Sequence, residues 1–392
     1  MKKITAISAL SAAALAIPSY GEVAPEDKEL SYRFSSYQEE VAPRARVFQG
    51  SLKRYSIDVH QIGYRTPIGD SWYVASELQY ESMSGASPTQ TYDEVDDTGN
   101  ATGNSVLLMS GASIEEQRTD IKISPKKYFN KGTAGGMLAY STENDYESIA
   151  LGFNGTLEIY DKHTTLIGSL SFSDDTLSPT DASISTARTA ANGEKRKSFS
   201  IYEGVSQIIN KYSVLQVGIG YTRLSGYLSD PYKFADQRPD QREQFTLSVQ
   251  HKQFMNVLEG AAILSNYRYY NDDWGIASHT VDVKWSQQFD ISHYRIIAAP
   301  LLRYYTQTEA DFYSLQQSPP ADQFNSSDSR LSSYGAFTFG FTSELKFSQW
   351  SLHFDWQQYN SSESLALFGS SNDEAPALVN FSTFTTGVDY KF

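Results

Sequence analysis

The chain has 392 residues, a formal charge of −14, no cysteine, 27 tyrosines and 21 phenylalanines. Without cysteine there are no disulfides and no thiolate metal or haem sites, and the acidic balance argues against nucleic-acid partners. A mean hydropathy of −0.44 is too polar for a helical membrane protein, yet the wealth of aromatics suits a barrel whose strands alternate between an apolar and a watery face.

Lys2 and Lys3 precede an Ala-rich apolar run from Ile4 to Ile17, followed by Ser19-Tyr20-Gly21. This pattern predicts an export signal over residues 1–21, cleaved after Gly21, with residues 22–392 as one domain. The run is too short to span a membrane as a helix. The first predicted strand, Glu29–Glu39, points Leu30, Tyr32 and Phe34 outward. The next, Leu52–Tyr64, sets Tyr55, Ile57 and Val59 against Arg54, Ser56, Asp58 and His60. After a turn at Pro67–Asp70, Trp72, Val74, Leu78 and Tyr80 oppose Glu77, Gln79 and Glu81. A period of two with one apolar and one polar face marks half-exposed strands.

A polar loop is expected from Ser84 to Gly111. Tight turns follow at Asn130–Gly132, Asp161–His163 and Asn210–Tyr212, interleaved with longer segments at Asp174–Lys197, Ser225–Asp240, Thr308–Leu331 and Ser362–Ala377. Alternation of short turns with long loops is the plan of an outer-membrane barrel. The last segment ends at Phe392, with Phe384, Val388, Tyr390 and Phe392 on one face. The fold expected is all-β: one antiparallel transmembrane barrel of about sixteen strands, with short periplasmic turns and long extracellular loops.

The stretches YLSDPYK, RPDQR, YRYYNDDWGIASHT and RYYTQTEADFY lie between Tyr227 and Tyr313. They resemble the signature blocks of a family of bacterial outer-membrane proteins defined by domain of unknown function 3570. The resemblance implies an outer-membrane barrel in an envelope redox or export context, with a small lipoprotein or periplasmic protein as partner. Outer-membrane lipid, lipopolysaccharide and the barrel assembly machinery are the other expected contacts. No cofactor and no nucleic acid is called for.

Placed on the barrel, Arg242, Arg268 and Arg303 face the lumen near the outer mouth, with Asp282 and Lys284 lower on an intervening strand. Three arginines on one wall require carboxylates or anions to answer them. In one reading, Asp230, Asp236 and Asp240 of the Ser225–Asp240 loop fold inward and face them across a constriction, as in a porin. In the other, these groups form an ion-pair ladder that braces the barrel. A Ser351, His353, Asp355 triad is disfavoured, because same-face neighbours on a strand stand roughly 6.5–7 Å apart and proton relay needs about 2.6–3.2 Å. The cluster Asp93, Glu94, Asp96, Asp97 lacks the order of a calcium loop, and Trp72, Tyr221, Tyr267 and Trp350 read as interface anchors. The function expected is a porin-like channel or the membrane component of an export system, not an enzyme. The alternative is a non-conducting scaffold plugged by its own loops or by a lipoprotein.

Overall fold

A computed structural model describes residues 24–111, 114–257, 260–316, 318–320, 322–367 and 375–392; the expected export signal lies outside them. Alternation of apolar and polar residues produces nineteen strands among the described residues. The first half of the wall comprises β1 (Glu29–Glu39), β3 (Ser56–Ile68), β4 (Trp72–Gly85), β7 (Ile114–Phe129), β8 (Gly132–Glu143), β9 (Tyr146–Ile159), β10 (Thr164–Leu177) and β11 (Lys195–Asn210). The second half comprises β12 (Ser213–Gly226), β13 (Gln241–Met255), β14 (Ala261–Asp272), β15 (Ala277–Ile291), β16 (Tyr294–Gln307), β17 (Tyr334–Phe347), β18 (Trp350–Ser362) and β19 (Phe381–Lys391).

These sixteen form one closed antiparallel barrel in the order β1-β19-β18-β17-β16-β15-β14-β13-β12-β11-β10-β9-β8-β7-β4-β3. Closure runs from Glu29 opposite Lys391 to Glu39 opposite Phe381, so no edge is left unpaired. Leu151, Phe153, Ile219, Phe339 and Leu352 are exposed on the outer face, while their in-strand neighbours Gly152, Asn154, Gly218, Thr338 and His353 face the lumen. The predicted first strand agrees residue for residue; the second begins four residues later than expected, at Ser56.

At one end the strands are joined by short turns, such as residues 69–71, 130–131, 211–212 and 348–349. Long segments gather at the other end, although residues 144–145 and 273–276 make two short connections there as well. The expected polar loop is instead a hairpin, β5 (Pro88–Val95) and β6 (Ala101–Met109), joined by β2 (Val47–Gln49) in a separate sheet of order β2-β6-β5. Leu107 and Met109 bury against Ala42, Ala86 and Ala377, and Trp274 and Ile276 bury against Ala310 and Leu331. Both apolar clusters therefore lie among the loops. A barrel filled with polar side chains has no need of a greasy centre, and the loops supply their own.

Candidate functional site: a loop cap over a polar lumen

Three loops leave the rim after β4, β12 and β16, which stand six, four and six strands apart in turn around the closed order. They are bonded to one another, so they meet across the mouth. Phe234 N donates to Thr89 O at 2.9 Å, and Asp93 N to Leu315 O at 3.1 Å. Lys233 Nζ donates to Pro88 O at 2.8 Å, and Thr91 N to Ser327 Oγ at 3.1 Å. Gln237 and Asn325 exchange backbone hydrogen bonds of 2.8 Å in each direction.

Arg238 is the hub of this junction. Its Nε lies 2.9 Å from Asp236 Oδ1 in its own loop and its Nη2 lies 3.0 Å from Asp328 Oδ2 in the loop after β16, all three side chains being buried. Asp236 also accepts from Asp230 N at 2.7 Å and from Ser326 Oγ at 2.5 Å. Arg330 closes on Asp328 from the other side. Burial opposes the charge of Arg238, but Asp236 and Asp328 raise its pKa beyond the ordinary arginine value. For Asp328, burial works upward and is overcome by Arg330, Lys233 and Arg238, which hold its carboxyl well below the usual range. Asp230 moves the other way: burial, with Asp236 beside it, lifts its carboxyl despite Lys233 and Arg238.

A fourth strap comes from the segment before β19. Arg54, paired with buried Glu39 at 3.0 Å, donates through Nη2 to Ala377 O at 2.9 Å and through Nη1 to Leu378 O at 3.3 Å. On the far side Tyr232 Oη donates to Asp145 Oδ2 at 2.6 Å and lies under the guanidinium of Arg188. Loops from most of the rim are thus held in one cap.

Beneath it the lumen has two unlike walls. Along β9 to β13 many inward residues are small or hydroxylic, with Ser173 bonding Ser198 at 3.0 Å and Ser200 bonding Thr222 at 2.9 Å, beside an ion pair of Arg196 with Asp175 at 2.8 Å near the loop end. The rest is charged. Arg33 meets Asp389 at 2.6 Å, Lys122 meets Glu77 at 3.0 Å, and Arg118 lies among Glu81, Asp120 and Glu143 at 3.6–3.8 Å.

The residues singled out from the sequence divide among these places. Arg242, Arg268 and Arg303 all face inward, but in different company. Arg242 Nε donates to Asp272 Oδ2 at 2.8 Å and its guanidinium lies 4.3 Å from the Trp274 ring, which holds it at the rim. Arg303 lies 3.5 Å from Asp282, which also accepts from Asn266 at 2.7 Å. Arg268 and Lys284 form no ion pair with the described residues, and Arg268 is exposed in the lumen. Asp230 and Asp236 belong to the cap and bond within it, while Asp240 is exposed at the rim. Asp230 and Asp236 therefore turn to the cap around Arg238 rather than to Arg242, Arg268 and Arg303.

His353 bonds Asp389 at 2.7 Å, with Glu344 at 3.8 Å, and Asp355 bonds Thr342 at 2.8 Å. Ser351 is not a partner of either. Asp96 accepts from Thr98 Oγ1 at 2.7 Å and from Asn100 N and Thr98 N at 2.9 Å, hydrogen bonds that lower its pKa to about 2 in a simple turn. Sequence reading missed Arg238 as a hub and the pair Arg54–Glu39. The signal for the cap was the apolar run Val106-Leu107-Leu108-Met109 inside an otherwise polar loop.

The model of a family described as protein of unknown function (DUF3570) matches residues 7–382. The chain belongs to the DUF3570 family. No curated protein is significantly similar to it. Among solved structures, this DUF3570 member is similar to a bacterial polysaccharide outer membrane secretin, with TM-score 0.53, 9% identity and coverage of 93% of this chain and 98% of that one. It is also similar to CdiB from Acinetobacter baumannii, with TM-score 0.47, 10% identity and coverage of 93% and 60%. Acinetobacter baumannii OccAB4 aligns with TM-score 0.36, 9% identity and coverage of 94% and 98%. The first of these likenesses supports the fold: a transmembrane barrel of the outer-membrane type.

Proposed function

We propose that this DUF3570 protein is a transport barrel of the Gram-negative outer membrane, closed at rest by its own loops. Its turn end faces the periplasm and its loop end the exterior. Passage requires the cap to move. The observation that carries this reading is the bonding of three widely spaced loops to one another: Arg238 and Asp328 join the loops after β12 and β16, and Lys233–Pro88 and Thr91–Ser327 join both to the loop after β4. A lumen lined by hydroxyl and charged side chains suits polar, hydrogen-bonding cargo, and the likeness to a polysaccharide secretin is consistent with that class.

The closed cap also favours a second reading, a non-conducting scaffold. Liposome swelling with neutral sugars separates the two. Wild-type protein should admit sugars slowly, and Arg238→Ala should admit them quickly, because removing Arg238 leaves Asp236 buried without its ion pair and cuts the tie from that loop to Asp328, which keeps Arg330. Breaking a buried pair in this way costs about 3–5 kcal/mol. Equal, negligible swelling for both proteins, with the cap of the variant shown to be open to protease, would assign the scaffold role.

A further inference from the structure

On the outer face of the barrel, a groove of about 650 Å³ lies across β9, β10, β11 and β12. Its floor is backbone at Gly155 and Gly168, and Leu157, Leu166, Val205 and Ile219 form its apolar walls. A Cβ built on Gly168 meets nothing within 4 Å, so the space over it is open. Glu203 stands on the lip of this groove. It is exposed, and its cross-strand neighbours are Gly168 on one side and Ile219 on the other. Within β11 it lies eight residues from Lys195 and seven from Asn210, the middle of the strand. Its same-face neighbours Ile201 and Val205 are also exposed.

Glu203 forms no hydrogen bond or ion pair with the described residues. A carboxylate in the middle of a hydrocarbon-facing belt is costly unless a donor answers it. Lipid ammonium groups sit at the membrane surface, not at this depth. Nor does a second copy of this chain bring lysine or arginine there. Among the described strands, the outward Lys127 lies near the turn end, and Lys195, Lys197 and Arg223 lie near the loop end. The outward histidines His60, His251 and His279 are already bonded to Tyr32, Ser213 and Tyr267.

We infer that the Gly155–Gly168 groove docks a membrane-embedded segment of a different polypeptide, which lays a small-residue face on the glycine floor and brings a lysine or arginine to Glu203. The glycines allow close backbone approach, and the ion pair fixes depth and register. This inference rests on the outer-membrane placement proposed above.

The test is site-specific photo-cross-linking in cells, with a photoreactive residue at Val205 and a control at Leu352 on a distant strand. The expected product at Val205 is an adduct with another protein, absent at Leu352 and reduced at least ~10-fold by Glu203→Gln, a loss equivalent to about 1.4 kcal/mol. Mapping should place a lysine or arginine of the partner at the adduct, and exchanging that residue for glutamate should restore the adduct to Glu203→Lys. In partner-free lipid vesicles, Glu203→Leu should fold at least as well as wild type. Adducts with lipid alone, adducts with this same chain, or adducts indifferent to Glu203→Gln would overturn the dock. If wild-type protein fails to fractionate with the outer membrane, the membrane placement fails instead, a result read before any cross-link is scored.

Discussion

Arg238 Nη2 lies 3.0 Å from Asp328 Oδ2, an ion pair that ties together two loops ninety residues apart in sequence. Both side chains are buried, so the pair stands in a region where charge is expensive to leave uncompensated. Its geometric consequence is larger than its energy. Because the two loops rise from different arcs of the rim, their junction spans the mouth.

The cap should respond to pH in two opposed ways. Asp328, held below the ordinary carboxylate value of 3.8, stabilises the closed cap above that value and loses its contribution as pH falls through its lowered pKa. Asp230, lifted above 3.8 chiefly by burial, favours the closed cap when protonated and loses that contribution as pH rises through its raised pKa. Loop protection against added protease should therefore rise as pH falls through the raised pKa of Asp230 and collapse at lower pH, where Asp328 is protonated. Asp230→Asn should flatten the first limb and leave the cap better protected than wild type at pH above that raised pKa. A wild-type profile with no rise in protection before the acid collapse would count against Asp230 as a titrating member of the cap.

Phe153 is 51% exposed on the outer face and the next residue, Asn154, points inward. Phe153→Arg should cost about 2–4 kcal/mol of folding stability in lipid vesicles, the range for arginine at mid-membrane on a barrel exterior. Asn154→Arg should cost well under half as much. Reversed costs in urea titrations would mean that the inside and outside faces are wrongly assigned.

Tyr202 lies across Gly218 inside the lumen: a Cβ at Gly218 would stand 2.0 Å from its Oη and 2.5 Å from its Cζ. Gly218→Ala should therefore destabilise the barrel by about 1–3 kcal/mol through overpacking. In a Tyr202→Ala background most of that loss should disappear, since contacting residues couple in a double-mutant cycle. Additive losses would show that Tyr202 does not occupy the glycine surface.

Among the three lumen arginines, Arg242 and Arg303 are answered by Asp272 and Asp282, whereas Arg268 is not paired with any described residue. With the cap opened by Arg238→Ala, Arg268→Ser should shift the reversal potential toward cation selectivity. Arg242→Ser should chiefly loosen the β14–β15 turn, where Trp274 and Asp272 hold it. Equal shifts from both would indicate that the pairings do not screen Arg242.

The wall of the barrel was legible in the sequence because each strand carries its own instruction. In Glu29–Glu39, alternation alone places Leu30 and Tyr32 outward, and no distant residue is needed to know it. The hairpin of β5 and β6 was not legible. Its glycine, asparagine and acid content reads as loop, and it becomes a sheet because Leu107 and Met109 can bury against Ala42, Ala86 and Ala377. The same holds for the site. Parity put Arg242, Arg268 and Arg303 on the inner wall, but the destination of Asp236 depended on Arg238 and on Ser326, ninety residues away. Periodicity reports which face a side chain takes and says nothing of which loop will fold over it.

The central claim is that the cap, not the lumen, blocks passage. Single-channel recording of purified protein in planar bilayers tests it most directly. Wild type should be silent or open rarely and briefly, and Arg238→Ala should show long, steady openings of uniform size that a protease-nicked wild type reproduces. Silence from the folded, membrane-inserted variant would contradict the account, and so would wild-type openings as large and lasting as those of the variant.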